Sequence, residues 1–184
     1  AFGCAFCATA LLGLQRNLSS GEILDQILEA SRTLAPEARI TNVVLMGMGE
    51  PLANYAQTVK ALDIMIDTSW GIGISPRRIT LSSVGLVPQI HKLMDETKVN
   101  LAISLHAPTD ELRARLMPVN RKYGLNELID CCRALPIPRR KRITFEYVLL
   151  RGVNDSVECA QALARLLGGI RCKVNVIPFN PHPG

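Results

Sequence analysis

Two cysteines near the amino end carry the clearest potential for chemistry in this sequence. They are Cys4 and Cys7, within the segment AFGCAFCAT at residues 1–9. Cysteines three positions apart can bind one metal centre, because the residues between them turn tightly enough for both thiolates to face it. The same spacing occurs in half of a zinc site, in a thioredoxin-like redox pair and in unrelated buried cysteines. An iron–sulfur loop at the mouth of an α/β barrel, short of one ligand, is a further interpretation.

Small and polar residues follow several runs of strand-like sequence. They fall at Gly47–Pro51, Ser82, Ser104–His106 and Phe179–Asn180. In β/α barrels the chemistry collects at the carboxyl ends of the strands. We therefore expect these four strand ends to converge on one site beside the cysteine loop.

The elements that must position these residues alternate between strand and helix. A capping box at Ser19–Glu22 predicts a helix that Pro36 stops, and Asn54 is the predicted cap of the next helix. The predicted strands are Ile40–Met46, Arg78–Ser82, Val99–Leu105, Arg142–Leu150 and Cys172–Pro178. The other predicted helices cover 87–94, 110–117, 126–134 and 156–167.

This alternation predicts an α/β fold with a parallel sheet, either a β/α barrel or a doubly wound sheet. Rossmann-type dinucleotide binding is disfavoured, since no G-x-G-x-x-G follows a leading strand. We expect the run from Ile40 to Met46 to be covered on both faces. The strand faces favour a barrel with a polar interior, because apolar and small or polar residues alternate along 99–106. The apolar face has Val99, Leu101, Ile103 and Leu105; the other has Asn100, Ala102, Ser104 and His106.

Length and composition suit a single domain. The chain has 184 residues, 4% aromatic residues and a formal charge of +5. No apolar run reaches the ~18 residues of a membrane-spanning helix. The six cysteines form no disulfide-scaffold pattern, which favours a reducing cytoplasm. The positive charge permits a nucleic-acid partner without establishing one. Because the sequence begins at a cysteine loop and ends at Pro-His-Pro-Gly, we expect it to be an internal part of a longer protein.

Taken together, the motifs resemble one known family along the whole chain. They are GCAFCAT (3–9), MGMGEP (46–51), RRITLS (77–82), SLHAP (104–108), GVND (152–155) and IPFNP (177–181). In this order they resemble the radical S-adenosylmethionine (SAM) RNA methyltransferases. More narrowly, they resemble the branch that methylates C2 of an adenosine in 23S ribosomal RNA and in transfer RNA.

The resemblance implies a partial parallel (β/α)6 barrel of the radical SAM, TIM-barrel-like type, truncated at both ends. Residues 1–184 would be a single radical SAM core domain that lacks the first strand, the first cluster cysteine and a carboxyl-terminal segment. The family motif is C-x-x-x-C-x-x-C, so Cys4 and Cys7 match its second and third cysteines. Three thiolates would leave one iron of a [4Fe–4S] cluster open to SAM.

The same resemblance implies the residues that bind SAM. Gly49 and Glu50 would lie at its amino group, where a carboxylate complements an ammonium. Phe6 would pack either against the SAM adenine or as a core aromatic under the loop. The remaining SAM-binding residues would be Ser82, Ser104, Leu105, His106 and Asn180.

The family reaction uses two SAM molecules, one to methylate a cysteine and one to generate a 5′-deoxyadenosyl radical. The methyl-carrying and resolving cysteines would lie outside residues 1–184, so no catalytic residue is assigned and the chain alone is expected to be inactive. The implied partners are 23S rRNA, tRNA and an electron donor, with a monomer expected in the cytoplasm. The alternatives are C8 methylation of adenosine, a radical SAM enzyme such as a glycyl-radical activase, and a non-enzymatic zinc- or RNA-binding barrel.

Three further features have interpretations that remain open. Glu146 should point into the barrel, where it either contacts SAM or, as we prefer, pairs with a neighbouring arginine. The other four cysteines are expected to be packing residues. The basic groups at 77–78, 121–122 and 139–142 are expected at the barrel bottom as a solvated rim, with direct RNA contact as the alternative.

Overall fold

The computed structural model describes residues 2–181 as a layer of helices on a parallel sheet. The strands are β1 (Val43–Leu45), β2 (Ile79–Ser83), β3 (Asn100–Ser104), β4 (Ile143–Leu149) and β5 (Cys172–Pro178). The helices are α1 (Ala8–Leu12), α2 (Ser20–Arg32), α3 (Tyr55–Ile66), α4 (Val87–Glu96), α5 (Asp110–Leu116), α6 (Leu125–Ala134) and α7 (Val157–Leu166). Short 3-10 turns cover Pro51–Asn54, Pro76–Arg78 and Pro118–Arg121.

The sheet follows the order of the chain. Its strand order is β1-β2-β3-β4-β5, and every neighbouring pair is parallel. Within the described residues β1 pairs with β2 alone and β5 with β4 alone, so the sheet is open at both edges. This confirms the predicted α/β class with a parallel sheet, in the form of an open arc.

The strand faces divide as the alternation predicts. In β2, Ile79 and Leu81 are fully buried, whereas Thr80 and Ser82 are half-buried on the opposite face. The register carries the polar face across the sheet, since Ser104 lies opposite Glu146 and Glu146 opposite Asn175. The apolar face packs with the helices into the core, in which Leu62 of α3, Ile90 of α4 and Leu128 of α6 are fully buried.

The capping box that begins α2 is present. The Ser19 hydroxyl accepts a hydrogen bond from the Glu22 amide, and the Glu22 carboxylate accepts one from the Ser19 amide. Arg16 pairs with the same carboxylate at 2.5 Å and, as the largest cause, lowers the pKa of Glu22 to about 2. The helix therefore begins where its sequence predicts.

Two expectations about local structure are wrong. The first strand is shorter than 40–46 and is not covered on both faces, because it lies at the sheet edge and leaves the Val44 side chain 60% exposed. Asn54 occupies the cap position of α3, but its side chain makes no cap bond. The side-chain amide donates instead to the Leu18 carbonyl, at 2.7 Å. The side chain that caps the preceding turn is Glu50.

Neither membrane spanning nor disulfide bonding is found in the described residues. No helix in residues 2–181 has the length and apolar character needed to cross a bilayer. All six cysteines are free, and Cys131 and Cys132 are buried in the core as expected of packing residues.

Candidate SAM and cluster site

The cysteine loop is a tight turn attached to the sheet through α5. The Cys7 amide donates to the Cys4 carbonyl at 3.1 Å, and Cys7 precedes the first residue of α1. The Ala5 amide donates to the Leu116 carbonyl at 2.9 Å, which ties the loop to the end of α5. The loop therefore has a fixed position beside the segment that follows β3.

The two thiols are close enough to influence each other. Burial, and next the Cys7 thiol, raise the pKa of Cys4 to about 11. A thiol with this pKa stays protonated and weakly nucleophilic near neutral pH, so its use as a ligand requires a cation that displaces the proton. Across residues 2–181 no third His, Cys, Asp or Glu joins them in a metal-binding group. Among the described residues, this loop therefore offers a two-thiol group.

Phe6 connects this loop with the predicted SAM-binding segment at 104–106. Its ring meets the His106 imidazole edge-to-face, with centroids 4.6 Å apart and an interplanar angle of 68°. Edge-to-face pairs at this separation are favourable. Phe6 is thus a packing contact within the site, which matches the second of its two predicted roles and leaves the adenine contact a prediction.

His106 adopts a special backbone conformation. Its φ is 57°, the one positive φ outside glycine among the described residues, and the side chain is buried. Nδ1 accepts a hydrogen bond from the Val148 amide at 3.0 Å, which leaves the proton of the neutral ring on Nε2. Burial lowers the pKa of His106 to about 3. The imidazole is therefore a neutral group at the strand ends.

Glu50 also lies at the strand ends, buried after β1. Its carboxylate accepts from the Leu52 amide at 3.1 Å and from the Val84 amide at 2.7 Å, so it holds together the loops that follow β1 and β2. Burial raises the pKa of Glu50, in opposition to these hydrogen bonds. No salt bridge in the described region involves this carboxylate. A cation placed beside it would stabilise its charge.

The remaining predicted SAM residues divide into two groups. Gly49 has φ 93°, and a Cβ there would meet nothing within 4 Å, so its backbone borders open space. Ser82 and Ser104 are half-buried on the polar sheet face, whereas Leu105 is fully buried and could offer a ligand only its backbone. Asn180 is exposed after β5, two strands from β3. The strand ends of β1, β2 and β3 are thus neighbours, whereas Asn180 follows the edge strand β5, two strands away from β3.

Sequence reasoning missed Arg113 of α5, which is fully buried. Its guanidinium donates to the Val84 and Ser104 carbonyls at 2.7 and 3.1 Å and to Asn120 Oδ1 at 2.7 Å. Burial lowers the pKa of Arg113 to about 10. Among the charges that raise this pKa, that of Cys4 has the largest effect. Arg113 therefore fixes the ends of β2 and β3 beside the cysteine loop. No local sequence signal marks an arginine that is buried by tertiary packing.

A second missed residue is Asn154, in the turn after β4. Its side chain is buried and makes three hydrogen bonds, donating to the His106 and Val148 carbonyls at 2.8 Å and accepting from the Leu150 amide at 2.7 Å. It thereby joins the loop after β3 to the loop after β4. The GVND motif contains this residue, but the motif alone does not indicate the joining role.

The preferred interpretation of Glu146 is wrong. The side chain is buried on the polar face as predicted, but its partner is Asn175, whose amide donates to the carboxylate at 2.7 Å. No arginine pairs with Glu146 in the part of the chain that the structure describes. The neighbouring strand provides the amide because residues 146 and 175 are in register.

Comparison with known proteins decides the family. Residues 1–166 match the Radical SAM superfamily. The chain belongs to this superfamily. A solved radical SAM methyltransferase from Sphaerobacter thermophilus is similar to it at 50% identity and a TM-score of 0.95, over 100% of this chain and 54% of that one. The arc of five strands is thus a radical SAM fold.

Several curated relatives of this radical SAM chain are named Dual-specificity RNA methyltransferase RlmN. The protein from Syntrophobacter fumaroxidans is 56% identical over 184 residues, covering 100% of this chain and 54% of its own length. The protein from Desulfosudis oleivorans is 52% identical over 182 residues, covering 99% and 49%. The chain spans about half the length of the curated relatives that it matches.

Membership of the radical SAM superfamily implies a [4Fe–4S] cluster and SAM as cofactors. The residues present fit these groups. Cys4 and Cys7 form a close thiol pair, and Glu50 is a buried carboxylate whose raised pKa a cationic ligand would reverse.

Proposed function

We propose that this chain is the SAM-binding core of an enzyme that methylates C2 of an adenosine in 23S rRNA and in tRNA, in the cytoplasm. One observation carries the proposal: the chain is 50–56% identical to curated relatives named Dual-specificity RNA methyltransferase RlmN, over at least 98% of its length. The family match, the thiol pair and the strand-end polar residues support it.

The proposed enzyme uses a [4Fe–4S] cluster, two SAM molecules and an electron donor. When bound, the cluster would supply the electron needed to cleave SAM. This chain's residues would bind and orient: Cys4 and Cys7 ligate iron, and the Glu50 carboxylate accepts from the SAM ammonium while Gly49 lets the backbone approach. Ser82, Ser104–His106 and Asn180 would surround the rest of SAM.

His106 would contribute as a neutral, oriented ring. Its Nδ1 is occupied by the Val148 amide, which leaves Nε2–H as the donor available to a ligand. Phe6 packs edge-to-face against the ring and helps to hold it in place. Since burial lowers the pKa of His106 to about 3, protonation is not part of its role near neutral pH.

Nucleoside analysis tests the proposed reaction. The full-length gene product, purified anaerobically with its cluster, is incubated with SAM, a reductant and RNA from a strain that lacks this modification. Digested RNA is then separated by mass spectrometry. We expect 2-methyladenosine, whereas 8-methyladenosine would assign the C8 reaction instead. The 184-residue chain is the matched control and should give neither product. Methylation by this chain alone would contradict the expectation that the catalytic cysteines lie outside it.

A further inference from the structure

The charges of this chain are distributed unequally between the two ends of its sheet. Five loops join a helix to the following strand. They lie at the amino-terminal ends of the strands, opposite the candidate site. They carry nine basic and two acidic residues. The basic ones are Arg39, Arg77, Arg78, Lys98, Arg139, Arg140, Lys141, Arg142 and Arg171. We call these nine side chains the basic rim.

The loops at the carboxyl-terminal ends of the strands, which hold the candidate site, have no comparable charge. From the end of each strand to the next helix they contain Arg151 as their basic residue and Glu50 and Asp155 as their acidic residues. The basic rim therefore accounts for the positive charge of the whole chain, which is +5. Arg121 and Lys122 are not part of the rim: they lie at the end of the 3-10 turn after α5, where Lys122 is near Phe2. The rim is therefore the larger of the two basic groups.

The strand register brings the rim residues together. Thr80 lies opposite Asn100 and Ala102 opposite Thr144, so the residues just before β2, β3 and β4 form a row along the sheet edge. Two contacts confirm this proximity: the Lys141 ammonium donates to the Lys98 carbonyl, and the Asn100 amide donates to the Arg77 carbonyl at 2.8 Å. Burial and then the Arg77 charge lower the pKa of Lys141.

The rim cations have no acidic partners. The salt bridges in the described region join Arg16, Arg32, Lys92 and Arg133 to carboxylates, and none includes a rim residue. Like charges gathered with few acids among them repel one another, which a bound polyanion would relieve. Arg39, Arg77 and Arg78 also line a groove of about 840 Å³ between α2 and the start of β2. The rim thus offers both charge and a concave surface.

Helix stabilisation and electron-donor docking account for the rim less well. Cations can stabilise the carboxyl ends of helices, but this effect is confined to the last turn, and Arg77 lies well beyond the end of α3 at Ile66. An acidic electron-donor protein would have to reach the cysteine loop. From Lys98 to His106 the strand spans about 25 Å at its usual rise per residue, and electron transfer weakens steeply with distance.

We propose that the basic rim is a second RNA-contact surface, which binds the phosphodiester backbone of a structured RNA on the side of the sheet away from the strand ends that hold the candidate site. This proposal rests on RNA being the substrate class of the proposed function. Backbone contacts of this kind carry no sequence information; they position a large RNA and make its affinity depend on salt.

Fluorescence anisotropy with the 184-residue chain and a labelled RNA stem-loop tests the proposal across a range of salt concentrations. Removing two rim charges in Arg77→Gln/Arg78→Gln should weaken binding about tenfold at low salt and make the slope of log K against log salt shallower by roughly one to two. The control Lys60→Gln/Arg115→Gln removes two exposed charges from helices and should change the affinity less than twofold. Equal effects of the two pairs would overturn the proposal.

Further measurements distinguish RNA from an acidic polypeptide and binding from misfolding. Polyglutamate should bind far more weakly than RNA of equal charge; equal binding would overturn the assignment to RNA. Circular dichroism and thermal melting confirm that each variant folds, and the charge-conserving pair Arg77→Lys/Arg78→Lys replaces any variant that does not. That pair should keep the salt slope, and its loss would contradict phosphate contact. This binding needs neither cluster nor SAM. If it failed, the proposed methylation would still be tested separately by the nucleoside analysis.

Discussion

At the scale of single residues, the site depends on buried polar groups whose partners are backbone atoms. Glu50, His106 and Arg113 each bond to main-chain atoms of a neighbouring loop or strand. Such groups are costly to bury without partners, and their hydrogen bonds fix the loops that hold them. Each one therefore has a structural task besides any contact with SAM.

Replacing Glu50 tests its contact with the SAM ammonium. Glu50→Gln keeps the size of the side chain but removes its charge, so SAM should bind more weakly by about 1.5–3 kcal/mol, the range for hydrogen bonds to charged groups. Calorimetric titration of SAM into the cluster-loaded full-length protein measures this. Ser83→Ala is the control, because the Ser83 hydroxyl accepts from the Gly85 and Leu86 amides in the loop that Glu50 holds, so its loss disturbs the loop but spares the charge. Equal losses in the two variants would mean that Glu50 serves the turn alone.

Replacing His106 tests how the fold responds to acid. The folded-state pKa of about 3 lies below the ordinary value of 6.5, so the unfolded chain takes up this proton first. The contribution to stability is complete above pH 6.5 and declines as the pH falls from 6.5 toward 3, by about 1.4 kcal/mol per pH unit. His106→Asn tolerates the positive φ, retains an acceptor and does not titrate.

Urea unfolding of the 184-residue chain at about pH 7 and about pH 5 provides the measurement. Between them the wild type should lose about 2 kcal/mol more free energy of unfolding than His106→Asn. The exposed His91 of α4 supplies the matched control, and His91→Asn should behave as the wild type does. An identical pH response of the wild type and His106→Asn would refute the neutral buried ring.

At the scale of elements, Asn154 joins the loops after β3 and β4, and its loss should loosen both. Asn154→Leu has a similar size but leaves one amide and two carbonyls without partners, so we expect a destabilisation of at least about 2 kcal/mol. Asn154→Asp should destabilise the fold at least as much, because a carboxylate has no N–H to donate to the His106 and Val148 carbonyls. Asp155→Asn at the exposed neighbouring position is the control. A destabilisation by Asn154→Leu no larger than that of the control would disprove the joining role.

The cysteine loop gives a second prediction at this scale. A cysteine added immediately before Ala1 would complete the three-thiolate pattern that the family resemblance implies, so iron and sulfide content after anaerobic reconstitution should rise. A serine added at the same position is the control. If both folded proteins took up equally little iron and sulfide, Cys4 and Cys7 would not be cluster ligands.

The sequence predicted the elements better than the contacts between them. Period-two alternation in β2 and β3 and the capping box of α2 are local signals, and their predictions agree with the structure. The partners of Glu146 and Asn54 depend on which residues tertiary packing brings near, so both predictions about them were wrong. Arg113 and Asn154 were missed for the same reason. The roles of the SAM-binding residues came from the family resemblance and remain predictions.

At the scale of the whole molecule, the open arc leaves two sheet edges without partners in the described residues. Val44 at one edge is 60% exposed, and Val176 at the other is 54% exposed. Unpaired edges with apolar side chains favour association between chains. We therefore expect the 184-residue chain to associate as its concentration rises, although the resemblance implies a monomer for the intact enzyme.

Light scattering during size-exclusion chromatography measures this association. Val176→Lys places a charge at the β5 edge and should shift the protein toward the mass of a single chain. The control is Val153→Lys, at an exposed position in the turn after β4. A single-chain mass for the unmodified protein at every concentration would contradict the prediction.

The sequential order of the strands also has a consequence for biosynthesis. Each strand lies beside the one synthesised before it, so a partner is already present when each new strand leaves the ribosome. The loop at 104–108 completes its contacts later than β3 pairs, because the hydrogen-bond partners of His106 are Val148 and Asn154. The walls of the site can thus form during translation in chain order, while the central histidine reaches its final conformation only after β4 and the turn behind it have emerged.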